Sequence, residues 1–157
     1  MKIQLLSNDY DEFKTLSIVV NSLFIGSAAS KCGNDVDCIF ATMIRRGADK
    51  QTLGFWVWDI VGGREVYSPK FKHTLRYTDD QFPDVPESWQ NAVSPEDFNY
   101  AVGIFNKHVA TEGEYPYVVP LEYSRGDGSK IKLVCQGEVI SWLPDGQPSI
   151  MIGVHWI

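Results

Sequence analysis

His73, His108, His155, Cys32, Cys38 and Cys135 are the side chains of this chain best suited to hold a metal or attack a substrate. The histidines fall in three separate elements, and none has a second ligand at the short spacing that a metal-binding helix or hairpin supplies. The cysteines form no C-x-x-C pair, and three of them cannot all pair within one chain. The plain reading is reduced thiols in a cytosolic protein, with a structural Cys32–Cys38 bridge as the alternative. No G-x-S-x-G, H-E-x-x-H or Gly-rich phosphate loop occurs, and Gly62-Gly63 closes a hairpin. A small hydrolase or isomerase of the cone-shaped NTF2-like kind would need an acid and a base side by side deep in a cavity. Asp59 and His155 are the candidates, and strand alternation puts them on different faces. We expect neither catalysis nor a metal site.

Charge removes further classes. The net charge of −6 is uneven: residues 1–53 hold six basic and six acidic side chains, whereas residues 54–157 hold eight and fourteen. An acidic surface without a basic stripe repels phosphate backbones, which argues against nucleic-acid binding, and it offers no polybasic contact to a membrane. The most apolar stretch, Leu16 to Ala29, reaches about half the length of a membrane helix and is interrupted by Asn21. Asp9, Asp11 and Glu12 before it have the wrong charge for a secretory signal. We expect a cytoplasmic protein. Its 44% hydrophobic and 22% charged residues suit a globular domain with a real core.

All five tryptophans and all eight prolines follow residue 53, so composition and turn chemistry change together at Leu53-Gly54. Residues 1–53 read as a helical extension and 54–157 as the main domain. In the extension, Phe13, Leu16, Val20 and Leu23 predict a helix over 9–29. A second helix starts at an Asn34 cap, with Asp37 early and Arg45 and Arg46 late, as the helix dipole prefers. Its apolar face is Val36, Ile39, Phe40, Met43 and Ile44, which either packs on the domain that follows or forms a dimer seam.

After Gly54 the hydrophobic period becomes two. Phe55 to Ile60 places Trp56, Trp58 and Ile60 on one face and Phe55, Val57 and Asp59 on the other. A hairpin turn leads to a return strand over 65–68, and Pro83 and Pro86 break 70–91 into short helical turns. Ser94 caps a long helix with Pro95 in its first turn and Phe98, Ala101, Val102, Phe105 and Val109 on one side. Three strands follow, over 115–124, 130–142 and 149–156, joined by Asp127-Gly128 and Asp145-Gly146 turns. Pro116 and Pro120 make the first of them an edge strand or a bulged one. The sum is an α+β domain: a five-stranded antiparallel sheet with helices across one face.

Gly54-Phe55-Trp56-Val57-Trp58-Asp59, Tyr67-Ser68-Pro69 with Phe71, Leu75 and Tyr77, and Ser94-Pro95-Glu96-Asp97 follow in one order. After them come His108, Gly113, Tyr117, Glu122-Tyr123, Gly126-Asp127-Gly128-Ser129, Asp145-Gly146-Gln147-Pro148 and Gly153-Val154. This series, over about 100 residues, resembles a PAS domain of the PAC-containing branch. Departures are Arg76 for the usual Gly before Tyr77, Ser94 for a His, and His155-Trp156-Ile157 for the closing Asp-Ile-Thr. The resemblance implies strand order 2-1-5-4-3 and a sensory module with an internal pocket. Such a module takes a small, largely apolar ligand and works with signalling partners such as a kinase or cyclase output domain.

The same resemblance implies a pocket lined by Trp56, Trp58, Phe71, Leu75, Phe98, Phe105, Met151 and His155. Flavin-binding relatives place a polar, cofactor-facing side chain at the position of His155. Covalent flavin chemistry needs a cysteine on the short helix before the long one, and none lies between Asp79 and Val93. Noncovalent flavin, or haem on His108, stays open without being favoured, as does a filled core serving only dimerisation. On the outer sheet face Ile150, Ile152, Val154 and Trp156 form an apolar row that the N-terminal helices or a second subunit must cover. We expect a homodimer through Val36, Ile39, Phe40, Met43, Ile152, Val154 and Trp156.

Overall fold

The computed structural model describes residues 31–157; the helix expected over 9–29 lies outside them. One sheet contains β1 (Phe55–Asp59), β2 (Arg64–Tyr67), β3 (Tyr117–Ser124), β4 (Lys130–Trp142) and β5 (Pro148–Trp156), all neighbours antiparallel. Their order is β2-β1-β5-β4-β3, as expected. Around it lie α1 (Val36–Arg45), α2 (Ala48–Gln51), α3 (Pro69–Thr74), α4 (Pro86–Ala92) and α5 (Pro95–Ala110).

Both edges are protected. At the β3 edge Pro120 is exposed and has no amide to leave unpaired. At the β2 edge the 84–85 segment takes the free groups: Glu65 N–H donates to the Asp84 carbonyl (3.3 Å) and Tyr67 N–H to Asp84 Oδ1 (3.2 Å). The Tyr67 hydroxyl donates to the Val85 carbonyl (2.8 Å), so the edge is closed to another strand.

Strand alternation splits the sheet into two apolar faces. Phe55, Val57, Val66, Ile150, Ile152 and Val154 share the outer face with Val36, Ile39 and Met43 of α1. This settles what covers the outer row: the chain's own α1. Of the residues expected at a dimer seam, Val36, Ile39 and Met43 are buried in one cluster with Ile152 and Val154 of the same chain, while Phe40 and Trp156 are half-buried at the margin. The short link through α2 lets this helix reach its own sheet, so the apolar stripe needs no second copy.

A tight turn with Asp35 N–H donating to the Cys32 carbonyl brings Cys32 and Cys38 together in a disulfide, Cα to Cα 5.5 Å. The expectation of reduced thiols is therefore corrected for this pair. The cap of α1 is Asp35, whose side chain accepts from Cys38 N–H; Asn34 instead accepts from the Ser141 hydroxyl at 2.8 Å.

The inner face carries α3, α4 and α5. Ser94 caps α5 as expected, and Asp97 Oδ2 accepts from Glu122 N–H of β3 (3.0 Å), which fixes where the helix crosses the sheet. Its deeply buried stripe is Ala101, Ile104 and His108, whereas Val102 is exposed. The expected apolar side is thus rotated, because a buried histidine belongs to the stripe and apolar periodicity alone passes over it.

Candidate functional site

A cavity of about 260 Å³ lies between the inner sheet face and helices α4 and α5, slightly below the range of about 300–1,000 Å³ usual for small-molecule sites. Trp56, Trp58, Phe71, Phe98, Phe105, Met151 and His155 all line it. Leu75 does not: α3 ends at Thr74, only Phe71 of that helix reaches the cavity, and Leu75 fills the core as a fully buried side chain.

Two glycines set the floor. Trp56 is in register with Gly153 of β5, which is in register with Gly137 of β4. A Cβ on Gly153 would stand 2.1 Å from the Trp56 ring, and one on Gly137 would stand 3.0 Å from it. The indole therefore lies flat along a row without side chains. Behind it, Gly54 (φ 118°) lets β1 start against the Phe71 backbone, 2.5 Å from where its own Cβ would be. Ser68 Oγ ties the same corner by accepting from both Phe55 N–H (2.9 Å) and Phe71 N–H (3.3 Å).

His155 stacks on Phe71 (4.2 Å between centroids, 12° apart), and its Nε2 is 3.0 Å from the Tyr123 hydroxyl. Burial lowers its pKa to about 3, with the Gly54 carbonyl offsetting only part of the shift, so the ring is neutral near pH 7. It acts as a hydrogen-bonding neighbour of Tyr123. Asp59, the acid of the enzyme alternative, is paired in register with Ile150 and accepts from Gly62 N–H (2.8 Å), far along the strand from His155. No Asp59–His155 pair forms.

The polar half of the site escaped apolar pattern reading. Glu65 lines the cavity as a buried carboxyl, with Tyr67, Trp89, Gln90, Asn106, Tyr117 and Tyr123 around the same space. Burial raises the Glu65 pKa well above the ordinary carboxylate value; hydrogen bonding by Tyr67 and Trp89 opposes that rise and nearby Glu87 adds to it. A signal existed: the hairpin sets Trp58 opposite Glu65 and Trp56 opposite Tyr67, so these four share the inner face.

Two cofactor expectations meet specific residues here. His108 uses both ring nitrogens: Nδ1 lies 2.7 Å from the Tyr115 carbonyl and Nε2 accepts from Val139 N–H (3.1 Å). It fastens α5 to β4, lies outside the cavity lining, and does not fit the role of a haem ligand. The cavity cysteine, Cys135, is on β4, and burial pushes its thiol up to about 12, which does not fit a flavin-adduct nucleophile. Among the described residues, no group of three or more His, Cys, Asp or Glu could hold a metal ion, and no helix is long and apolar enough to cross a membrane.

A curled antiparallel sheet holding an aromatic cavity beneath one long helix is the architecture of a PAS module. The PAS fold family matches residues 64–155, and the chain belongs to that family. Similar solved structures include a sensory box histidine kinase/response regulator from Burkholderia thailandensis, at 22% identity and TM-score 0.58, covering 71% of this chain and 81% of that one. The N-terminal domain of a diguanylate cyclase with PAS/PAC sensor from Marinobacter aquaeolei is similar at 15% identity and TM-score 0.54, over 66% and 92%. The LOV domain of a blue-light activated histidine kinase from Erythrobacter litoralis is similar at 11% identity and TM-score 0.50, over 66% and 93%. No curated protein matches the sequence significantly.

Proposed function

We propose that this chain is a sensory PAS module whose cavity receives a small, largely apolar ligand and whose output is read by a signalling protein such as a kinase or cyclase. The observation that carries this reading is the cavity itself: large rings at Trp56, Trp58, Phe98 and Phe105 surround space that the core leaves unfilled. A filled-core interaction module would close that space, and the outer face that it would use for dimerisation is already occupied by α1. The residues support a binding role over an enzymatic one, since His155 is neutral and Asp59 is remote from it.

The signal runs through the sheet. β5 alternates Met151 and His155 toward the cavity with Ile152 and Val154 toward α1, so a ligand that favours one packing of the inner face shifts the population of α1 arrangements. A cytoplasmic setting is part of the proposal. The test is a thermal-shift and native mass spectrometry screen of compact apolar ligands against the native chain and Ala101→Leu, which extends a side chain from α5 into the cavity. Binding to the native chain that Ala101→Leu weakens supports the reading; no binding to a folded native chain refutes it.

A further inference from the structure

Glu65 has no counter-charge within the cavity, and only part of its carboxyl is hydrogen-bonded. It is 4% exposed, it lines the space, and its Oε2 has no hydrogen-bond partner. Buried carboxyl oxygens without partners are rare because their lost hydration is not replaced. The groups that face Glu65 are Tyr67 on its own strand, Trp89 and Glu87 on α4, Tyr117 on β3 and Cys135 on β4, together with Tyr123. None is basic. Among the described residues the cavity lining contains no Lys or Arg, and its histidine, His155, stays neutral.

The protein thus supplies a carboxyl and no counter-charge. It also supplies aromatic surfaces, with Trp58 opposite Glu65 in register and Trp89 beside its carboxyl, and aromatic faces attract cations. A ligand bearing a carboxylate or phosphate would bring like charge to Glu65 and find no partner.

Building on the ligand-sensor reading above, we propose that the cavity selects an organic cation: a compact amine whose ammonium group meets Glu65 Oε2 while its apolar body lies among Trp56, Trp58, Phe98 and Phe105. Burial favours the protonated acid in the empty cavity. Docking of the ammonium group favours the carboxylate, so the Glu65 proton passes to the buffer as the amine binds.

The test uses the full chain with phenethylamine and tryptamine, their neutral counterparts phenethyl alcohol and tryptophol, and the anion hydrocinnamate. Trp56, Trp58 and Trp89 border the cavity, so their fluorescence reports occupancy. Each amine is expected to bind about tenfold or more tightly than its alcohol, as a charge-assisted hydrogen bond exceeds a neutral one. Calorimetry in buffers of different protonation heat is expected to show proton release on binding an amine and none on binding an alcohol. Glu65→Gln should abolish the preference. Equal binding of amine and alcohol, or a preference that survives Glu65→Gln, overturns the cationic ligand while the bound alcohols leave the sensor reading intact. If Glu65→Gln fails to fold, the native chain decides, and the absence of any preference for amine over alcohol overturns the proposal. Binding of none of the probes overturns both readings.

Discussion

The two faces of the sheet are built from the same strands and solve different problems. On the outer face, aliphatic side chains of β1, β2 and β5 meet the Val36, Ile39 and Met43 stripe of α1, and the fit is close enough to leave Ile39 and Met43 fully buried. On the inner face, broad rings lie beneath α4 and α5, and a cavity with a carboxyl remains. Small aliphatic groups interdigitate to native density, whereas flat rings held by glycine gaps and hydrogen bonds leave room. One face is closely packed; the other leaves open space.

Acid gives the largest expected separation of the faces. Unfolded His155 takes up a proton near its ordinary value of 6.5, but folded His155 does so only near 3. Stability is therefore full above the upper value and falls as pH drops through that window, by roughly 3–5 kcal/mol for this group. The lowered pKa of buried His108 adds in the same sense. In urea titrations at stepped pH, His155→Gln, which keeps an acceptor for the Tyr123 hydroxyl, should flatten most of the acid limb. Glu65 works in the opposite direction: its raised pKa adds stability below about 4.5 that is lost as pH rises through the folded value, so Glu65→Gln should gain stability near neutrality.

Truncation comes next. Ile39→Ala should cost about 2–5 kcal/mol in urea unfolding, as expected for a fully buried side chain, and leave cavity binding intact. Phe98→Ala, at a half-buried position already beside empty space, should cost less and weaken ligand binding instead. Equal losses of stability would erase the contrast between a packed and an open face.

Reduction of Cys32–Cys38 should lower stability by about 2 kcal/mol, given the short loop that it closes. Hydrogen exchange should then quicken in α1 before α5, and a uniform response would show that α1 and the sheet unfold as one unit. The smallest effect is expected at Arg76, which holds φ at +60° where the family pattern has glycine. Arg76→Gly should stabilise by about 1 kcal/mol, because the left-handed backbone suits glycine. The exposed Arg76–Asp127 ion pair that it removes should matter little, and chemical denaturation checks the net sign.

The sheet order and the cavity wall came from the family resemblance, whereas alternation in β1 and β5, the turn residues and the Ser94 cap made the strand faces and the main elements legible from the chain alone. These are local rules: a period of two assigns faces, and two prolines assign an edge or a bulge. Glu65 and Tyr67 were recoverable from hairpin register but not from a search for apolar residues. Leu75 was misplaced because its role depends on the residue at which α3 ends, and His108 was hidden because both its partners, Tyr115 and Val139, come from other elements.

The amino-acid sequence by itself determined the faces of the strands, the hairpin turns and the aromatic character of the interior, since each follows from short-range periodicity and turn chemistry. The strand order came from the family resemblance, because β1 and β5 meet across the whole domain. Only the tertiary structure decided that α1 covers its own sheet, that Cys32 and Cys38 meet, and that one oxygen of a buried carboxyl, Glu65 Oε2, is left without a hydrogen-bond partner in the cavity. Those outcomes depend on distances between segments far apart in the chain, which packing sets and local pattern does not.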